Sequence, residues 1–215
     1  VNKHELTPHL LSMTATPIPR TLALTLYGDL DLSLLDEMPA GRKKIITEVV
    51  SPAGRPVAYE KIKKELVVGR QLYVICPRID EPDPTKELAI QAKSVKEEAK
   101  RLKKNVFPEY EIRILHSKMP AKGGSASGGK SKEEVMKDFA TGKIDILVAT
   151  SVEEVGVNVE NASLIVIEGA ERFGLAQLHQ LRGRVIRSNH QAYCFVFTES
   201  QTHKTKGRLN ALVNA

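Results

Sequence analysis

The sequence predicts an α/β fold in which a doubly wound, mostly parallel sheet is flanked by helices. Two observations lead to this prediction. From Ile45 onward, short runs rich in β-branched residues alternate with amphipathic helical patterns, which is typical of repeated β-α-β units. The 215 residues are 41% hydrophobic and 27% charged, the composition of an ordinary globular protein that can bury one good core.

Six segments have the length and composition of strands in a buried parallel sheet. Each is a short apolar run, and residues that favour turns or helices separate it from the next. In chain order, the expected strands are Ile45–Val50, Gln71–Cys76, Glu111–His116, Ile144–Thr150, Leu164–Glu168 and Ala192–Phe197.

Helical patterns lie between these strands. Spacings of three and four residues predict a long helix whose Lys and Glu side is solvated and whose buried side carries six apolar residues. These are Leu88, Ala92, Val95, Ala99, Leu102 and Val106. A shorter helix carries Val135, Met136 and Phe139 on its core side. Another begins near Leu175, and Gly183 is expected to mark its end.

The first forty residues differ in character from the rest. An apolar run ends in Ser12-Met13-Thr14-Ala15-Thr16, and a Leu-rich helical pattern follows Pro19. Pro39–Arg42 is the expected linker, because Pro and Gly separate two differently patterned regions there. We therefore expect residues 1–42 to be the tail of a preceding domain, 43–200 to be a second domain, and 201–215 to begin a C-terminal helical segment.

Charge and cysteine usage narrow the function classes. Lys and Arg outnumber Asp and Glu by 32 to 26, giving a net charge of +6, which favours a polyanionic partner without proving one. Cys76 and Cys194 lie within apolar runs, as buried thiols of a reducing compartment do, and no metal site is implied. No leader and no apolar run of about 18 residues is present, so a cytoplasmic protein is expected.

The segment Gln180-Leu181-Arg182-Gly183-Arg184-Val185-Ile186-Arg187 places three arginines and a glutamine at a helix-to-loop junction. Arginine suits phosphate because its planar fork can donate to two oxygens and its charge can meet the negative charge of phosphoryl transfer. On this interpretation, Arg184 and Arg187 reach one anion together and Gln180 orients the group. The alternative is a solvated basic helix end, where cations also complement the helix dipole.

Other polar residues follow strands or precede helices. Thr14 and Thr16 come before a helix, where Thr16 could simply be an N-cap. Thr150 and Ser151 end a strand, as His116 does, and Gly156 and Asn158 follow shortly after. Ligands of doubly wound folds sit beyond the carboxyl ends of strands, although each of these signals is weak when taken alone.

Gly124-Ser125-Ala126-Ser127-Gly128-Gly129-Lys130-Ser131 matches the phosphate-loop pattern G-x-x-x-x-G-K-S. A phosphate loop should follow directly from a buried strand, whereas seven residues separate this segment from His116. Gly/Ser-rich composition is also typical of a flexible linker, natural or engineered. The linker interpretation is favoured over a phosphate cradle.

Taken together and in this order, these motifs resemble the RecG family of superfamily 2 DNA helicases. The bacterial transcription-repair coupling factor is the alternative, since it shares the Thr14–Thr21 stretch and the arginine helix. The resemblance covers nearly the whole chain except the Gly/Ser segment. It is carried by Met13–Asp31, Leu115-His116, Met119, Leu147–Ser151, Glu154–Val157 and Glu171–Arg184.

The resemblance implies that residues from about 43 onward form the second RecA-like motor domain. Residues 12–16 would be helicase motif III, 150–158 motif V and 180–187 motif VI. Arg184 and Arg187 would be arginine fingers for the γ-phosphate, with Gln180 beside them. The cofactor would be ATP with Mg²⁺, and the phosphate loop and metal ligands would lie outside this chain.

By the same resemblance, the remaining candidate residues have two roles. Gly156, Asn158 and Gly183 would contact the cofactor. The residues that would bind nucleic acid or couple it to the nucleotide state are Thr14, Thr16, His116, Thr150 and Ser151.

The family's activity is ATP-dependent remodelling of branched DNA, such as replication forks or Holliday junctions, in recombination and repair. Its partners would be DNA and the first RecA-like and wedge domains of the same protein, which would act as a monomer. We expect this chain to be a piece of a longer protein and to be inactive alone. A non-catalytic nucleic-acid-binding module and a self-contained nucleotide-binding protein built on Gly124–Ser131 remain as alternatives.

Three departures from the family pattern bear on individual residues. Ile186 stands where motif VI usually has glycine, and a β-branched residue there restricts the backbone beside Arg187. Asn158 and Glu160 stand where motif V usually carries Asp and Pro. The Gly/Ser segment lies where the family runs quickly from Met119 into the Lys/Glu helix.

Overall fold

The computed structural model of the protein describes most of the region from residue 43 onward. The described residues are position 33 and 43–77, 84–116, 119–121, 130–150, 159–185, 190–200 and 202–214, with only the backbone given for 84–93, 203, 204 and 214. The chain divides into two compact units, Val1–Glu37 and Met38–Ala215. All structural statements below concern the second unit, and the division predicted at residues 42 and 200 stays a prediction.

One parallel sheet contains the six described strands. In chain order they are β1 (Ile46–Val50), β2 (Leu72–Ile75), β3 (Ile112–Leu115), β4 (Ile146–Ala149), β5 (Leu164–Ile167) and β6 (Tyr193–Phe197). The order across the sheet is β1-β6-β5-β2-β4-β3, and every pairing between these strands is parallel. The six predicted strands and the doubly wound α/β class are confirmed, with strand ends shorter by one or two residues.

Five α-helices flank the sheet in the described part of the chain. They are α1 (Arg55–Val67), α2 (Pro84–Asn105), α3 (Lys132–Ala140), α4 (Leu175–Arg182) and α5 (His203–Asn214). A short 3-10 segment, Ala170–Arg172, precedes α4, and another, Gly183–Val185, follows it. Helix α5 occupies most of the predicted C-terminal helical segment.

The helices pack on opposite faces of the sheet because each buries one apolar side. On one face, α1 contributes Ile62 and Leu66, and α2 contributes Val95 and Leu102. The opposite face is covered by α3, α4 and α5, whose core residues include Phe139, Leu181 and Leu212. Of the long helical stripe predicted from the sequence, Val95 and Leu102 are fully buried, and Ala99 and Val106 pack against the same core.

The connections diverge at the centre of the sheet. After β2 the chain crosses through α2 to β3 at one edge, whereas after β5 it passes through α4 to β6 on the other side. Since α2 and α4 lie on opposite faces, the carboxyl ends of β2 and β5 form a topological switch point. A crevice opens at such a point, and open parallel sheets bind their ligands there.

A largely buried carboxylate, Glu168, whose side chain is 12% exposed, follows β5 at this switch point. The two terminal nitrogens of Arg55, the first residue of α1, donate to its oxygens at 3.3 and 3.0 Å. The second of these nitrogens also donates to Glu199 after β6, at 2.7 Å. The Arg55 guanidinium carbon lies 4.9 Å from the centroid of the Phe197 ring. Arg55 therefore connects α1 to the carboxyl ends of β5 and β6.

A second arginine, Arg101 of α2, approaches Glu168 from the other side. Its Nη2 lies 3.8 Å from a Glu168 oxygen and donates to the Tyr59 hydroxyl at 2.7 Å. Glu98, one turn earlier on α2, accepts from Arg101 Nε and Nη2 at 2.9 and 2.6 Å. The group formed by Arg55, Tyr59, Glu98, Arg101 and Glu168, which we call the switch-point cluster, joins α1, α2 and β5.

Burial is the largest influence on the pKa of two members of this cluster, Glu168 and Tyr59. It raises the pKa of Glu168 to about 7, and repulsion from Glu98 acts in the same direction, while Arg55 and Arg101 oppose the shift. Burial likewise raises the pKa of the Tyr59 hydroxyl. Burial also raises the pKa of the neighbouring Cys76 thiol, so Cys76 is an inert buried thiol, as the sequence predicts.

Replacing Glu168 with Gln should remove a pH dependence of stability. The folded-state pKa of Glu168 is about 7 against an ordinary value of 4.5, so between these values the folded chain holds a proton that the unfolded chain has lost. The wild-type free energy of unfolding should therefore fall as pH rises through this window. We expect urea titrations at about pH 5 and about pH 8 to differ less for Glu168→Gln than for the wild type.

Glu160→Gln is the matched control, since Glu160 is exposed, and it should keep the wild-type pH dependence. Parallel pH profiles for Glu168→Gln and the wild type would show that Glu168 does not titrate in this window.

Candidate functional site

The strand ends form one row along the carboxyl edge of the sheet. The register aligns Leu115 with Ala149, Ala149 with Ile75, and Ile75 with Ile167. The residues directly after these four are therefore neighbours at the edge: His116, Thr150, Cys76 and Glu168.

Two of the candidate residues predicted from the sequence lie side by side in this row. His116 follows β3 and Thr150 follows the adjacent β4, with exposed fractions of 8% and 3%. Their placement agrees with the rule that polar residues at the carboxyl ends of parallel strands line a site. Both lie outside the Glu168 crevice, because β4 and β3 are on the far side of β2.

Helix α4 presents the second group of candidates at its C-terminal end. Leu178 and Leu181 bury one side of α4 in the core, which leaves Gln180 exposed and Arg184 half-buried on the segment that follows. The structure thus brings Gln180, Gly183 and Arg184 together at one helix end. It places His116 and Thr150 elsewhere, after strands β3 and β4.

Gly183 has no local structural reason to be glycine. The helix ends at Arg182 as predicted, but Gly183 has φ −63° and ψ −13°, an ordinary right-handed conformation that any residue can adopt. A Cβ placed on Gly183 would meet no described heavy atom within 4 Å. Gly183 is also exposed, so the described fold would accept a larger side chain at this position.

Arg182, which the sequence analysis left without a role beside Arg184 and Arg187, has structural partners. Its Nη1 donates to the carbonyl oxygen of Leu212 in the last turn of α5 at 2.6 Å, and its Nη2 lies 3.3 Å from Nδ1 of His179. Arg208 of α5 donates in turn to the Glu171 carbonyl oxygen at 2.8 Å, just before α4. Arg182 is thus a structural residue that joins α4 to α5.

Several predicted site residues lie outside the described part of the chain. They are Thr14, Thr16, Ser151, Gly156, Asn158 and Arg187, together with Ile186 beside Arg187. Their assigned roles stay predictions.

Sequence analysis missed the switch-point cluster and the cleft beside it. This cleft has a volume of about 420 Å³ and is lined by Cys76, Pro77, Ser94, Glu97, Glu98, Arg101 and Glu168. A signal was present, because Glu168 is a carboxylate directly after the apolar strand Leu164–Ile167. Its arginine partners were not visible, since Arg55 lies 113 residues away in the chain.

The two distinctive residues of the phosphate-loop match have other partners. Ser131 is the N-cap of α3: its hydroxyl accepts from the Glu134 backbone N–H, and the Glu134 carboxylate accepts from the Ser131 backbone N–H, which forms a capping box. Lys130 Nζ donates to Asp138 Oδ2 at 2.5 Å. These contacts engage both side chains that a phosphate loop would direct at a nucleotide, and they favour the linker interpretation of Gly124–Ser131.

None of the helices that the structure describes has the length and apolar character needed to cross a bilayer.

The described charged side chains lie on both sides of the sheet. The Gln180–Arg184 segment is on one face, and the switch-point cluster is near the other.

Comparison with known proteins gives the family. Residues 58–189 match the helicase conserved C-terminal domain family. The ATP-dependent DNA helicase RecG of Synechocystis sp. is 46% identical over 95% of this chain and 23% of its own length. RecG of Treponema pallidum is 44% identical over 96% of this chain and 28% of its own length. The chain therefore spans about a quarter of the length of these relatives.

A solved structure, RecG bound to a three-way DNA junction, has the same fold. It is 39% identical to this chain, with a TM-score of 0.68 over 93% of this chain and 24% of that one. The transcription-repair coupling factor, the alternative left open by the sequence, is not favoured by these comparisons. The chain belongs to the helicase conserved C-terminal domain family and, over nearly its whole length, to its RecG group.

Proposed function

We propose that this chain is the second motor domain of an ATP-dependent DNA helicase that remodels branched DNA in recombination and repair. The observation that carries the proposal is the end of α4, where Gln180, Gly183 and Arg184 lie together within a chain of RecG type. RecG itself has been solved on a three-way DNA junction, which supports forks or Holliday junctions as the substrate. The expected setting is the cytoplasm, with the protein acting as a monomer.

In this proposal, Arg184 and Arg187 meet the γ-phosphate of ATP held by the preceding motor domain. A guanidinium suits this role because its charge is permanent and its donors match phosphate oxygens. Gln180, one helical turn before Arg184, would orient the group. Gly183 supports the arrangement, because its exposed position with open space around Cα allows a phosphate to approach the backbone closely.

The ATP and Mg²⁺ would be held by ligands outside this chain, and Gly156 and Asn158 would add contacts to the nucleotide. Binding and hydrolysis between two motor domains would close and open the cleft between them. His116, Thr150 and Ser151 at the sheet edge, with Thr14 and Thr16 of the preceding region, would couple that motion to DNA. The wedge domain would supply recognition of the branch point.

Arg184→Ala should abolish most ATP turnover when this segment replaces its counterpart in Synechocystis RecG. Loss of an arginine finger removes charge stabilisation in the transition state, which is worth about a thousandfold or more in kcat. We expect KM for ATP to change much less than kcat. Phosphate release in the presence of forked DNA measures both.

Arg113→Ala is the matched control for this experiment. Arg113 is on the edge strand β3 and its side chain is 51% exposed, so the change removes the same charge from a place remote from α4. Equal losses for the two variants, or a loss of less than about tenfold for Arg184→Ala, would refute the role of Arg184.

Gly183→Ala should separate function from stability. The right-handed φ of Gly183 and the space around it mean that alanine fits, and alanine lowers the conformational entropy of the unfolded chain, which stabilises by up to about 1 kcal/mol. We expect an unchanged or slightly raised Tm of this chain but a clear loss of ATP turnover in the chimera. Full turnover in Gly183→Ala would show that no phosphate approaches this backbone.

The chain alone should release no phosphate at a motor-like rate, with or without forked DNA. The reason is that the proposed phosphate loop and metal ligands lie outside it, while Lys130 is engaged by Asp138. A malachite-green assay of the wild type beside Lys130→Ala tests this expectation. Turnover by the wild type that Lys130→Ala abolishes would instead establish Gly124–Ser131 as a phosphate cradle.

A further inference from the structure

Helix α2 carries its exposed lysines on the side opposite Glu98. Glu97 and Glu98 line the cleft at the switch point, and Glu98 is held there by Arg101. The exposed Glu97 borders the lysines, since it is three residues before Lys100. The exposed lysines of the described part of α2 lie on the outer side of the helix. They are Lys96, Lys100, Lys103 and Lys104, whose spacings of four, three and one residues put them on one side of a helix that turns every 3.6 residues.

These lysines have no carboxylate partner among the described residues. Lys96, Lys100 and Lys104 form no ion pair with any residue that the structure describes. Lys103 donates to a neutral group, the Tyr110 carbonyl oxygen, at 2.8 Å. By contrast, Lys61 lies 2.7 Å from Glu48, and Lys130 and Lys143 both contact Asp138. We call this outer side of α2 the lysine face. Its four lysines have no acidic partner among the described residues, whereas Lys61, Lys130 and Lys143 are paired with carboxylates.

The lysine face matches a rigid polyanion in both length and chemistry. The helix rises about 12 Å from Lys96 to Lys104, and duplex DNA carries one charge per about 1.7 Å of its axis. Ammonium groups bind phosphates without reading bases. Single-stranded DNA is usually held by stacking on aromatic side chains, but residues 94–105 contain none, and nearby Phe107 and Tyr110 pack in the core.

We propose that the lysine face of α2 is a docking surface for the sugar-phosphate backbone of duplex DNA, separate from the row of polar residues at the carboxyl edge of the sheet. The contact rests on the proposed action on DNA and adds to it a named surface. An arm of a branched substrate would stay close to α2, free to slide along it, while the edge of the sheet acts on another part of the same molecule. Such binding is independent of sequence and sensitive to salt.

The test measures binding of the 215-residue chain to a labelled duplex of about 30 base pairs by fluorescence anisotropy, at salt from about 50 to about 200 mM. The variant Lys96→Gln/Lys100→Gln/Lys104→Gln should weaken binding about tenfold at the middle of this range. The slope of log affinity against log salt should fall by about 0.9 for each phosphate that the variant no longer neutralises, hence by about two to three.

The control Lys61→Gln/Lys130→Gln/Lys143→Gln removes the same charge from ion-paired lysines and should leave the salt slope within about 0.5 of the wild type. Equal effects of the two triple variants would assign the binding to overall charge and overturn the proposal. An equal loss of affinity for a single strand of the same length would overturn the assignment to duplex. A low-salt circular dichroism spectrum identical to that of the wild type verifies that each variant is folded.

The result is distinguishable from failure of the proposed function. The Arg184→Ala experiment reads ATP turnover, whereas this one reads the affinity of the chain for DNA without ATP. A lysine-face variant with unchanged affinity, beside an inactive Arg184→Ala chimera, would overturn only the docking surface.

Discussion

The compensation of one buried carboxylate, Glu168, determines how the carboxyl edge of this domain is built. An ionised carboxylate taken out of water loses several kcal/mol of solvation, and the partners of Glu168 offset only part of that loss, since its pKa stays raised to about 7. The partners here are Arg55 of α1 at 3.0 Å and Arg101 of α2 at 3.8 Å. Since each arginine belongs to a different helix, pairing with Glu168 also fixes where α1 and α2 pack. The cleft at the switch point results from the same contacts, because Arg101 and Glu98 form its wall.

Periodicity was sufficient to predict the sheet but not the ion pairs. Each strand is an apolar run whose composition is local information. The order β1-β6-β5-β2-β4-β3 was not predicted. Arg55 and Glu168 are 113 residues apart, and Arg182 is 30 residues from the carbonyl oxygen that it binds. No spacing rule links such positions. The sequence therefore showed Arg182 only as one arginine of the Gln180–Arg187 segment, and its contact with α5 could not be predicted.

Two short segments resemble phosphate-binding motifs, Gly124–Ser131 and the end of α4, but the structure explains the residues of only the first. In Gly124–Ser131, the residues that resemble phosphate ligands are Lys130 and Ser131, and they have local partners in Asp138 and Glu134. At the end of α4, the described fold does not require a glycine at position 183, and Gln180 is exposed. A residue whose type is explained by its own fold gives no reason to infer a ligand. A glycine that the described fold does not require agrees with the proposed close approach of a phosphate to its backbone.

In the proposed function, arginine and lysine are divided between the two kinds of anion that the motor would handle. A transferring phosphoryl group needs directed donors at a fixed position, and the guanidinium of Arg184 on the short segment after α4 would meet that need. A DNA backbone would slide past the protein, so a strong directional bond would hold it in one register. Ammonium groups on flexible stems, arranged along α2 and free of acidic partners among the described residues, attract phosphates without fixing their position. The net charge of +6 alone could not separate these roles, whereas the place of each cation in the fold does.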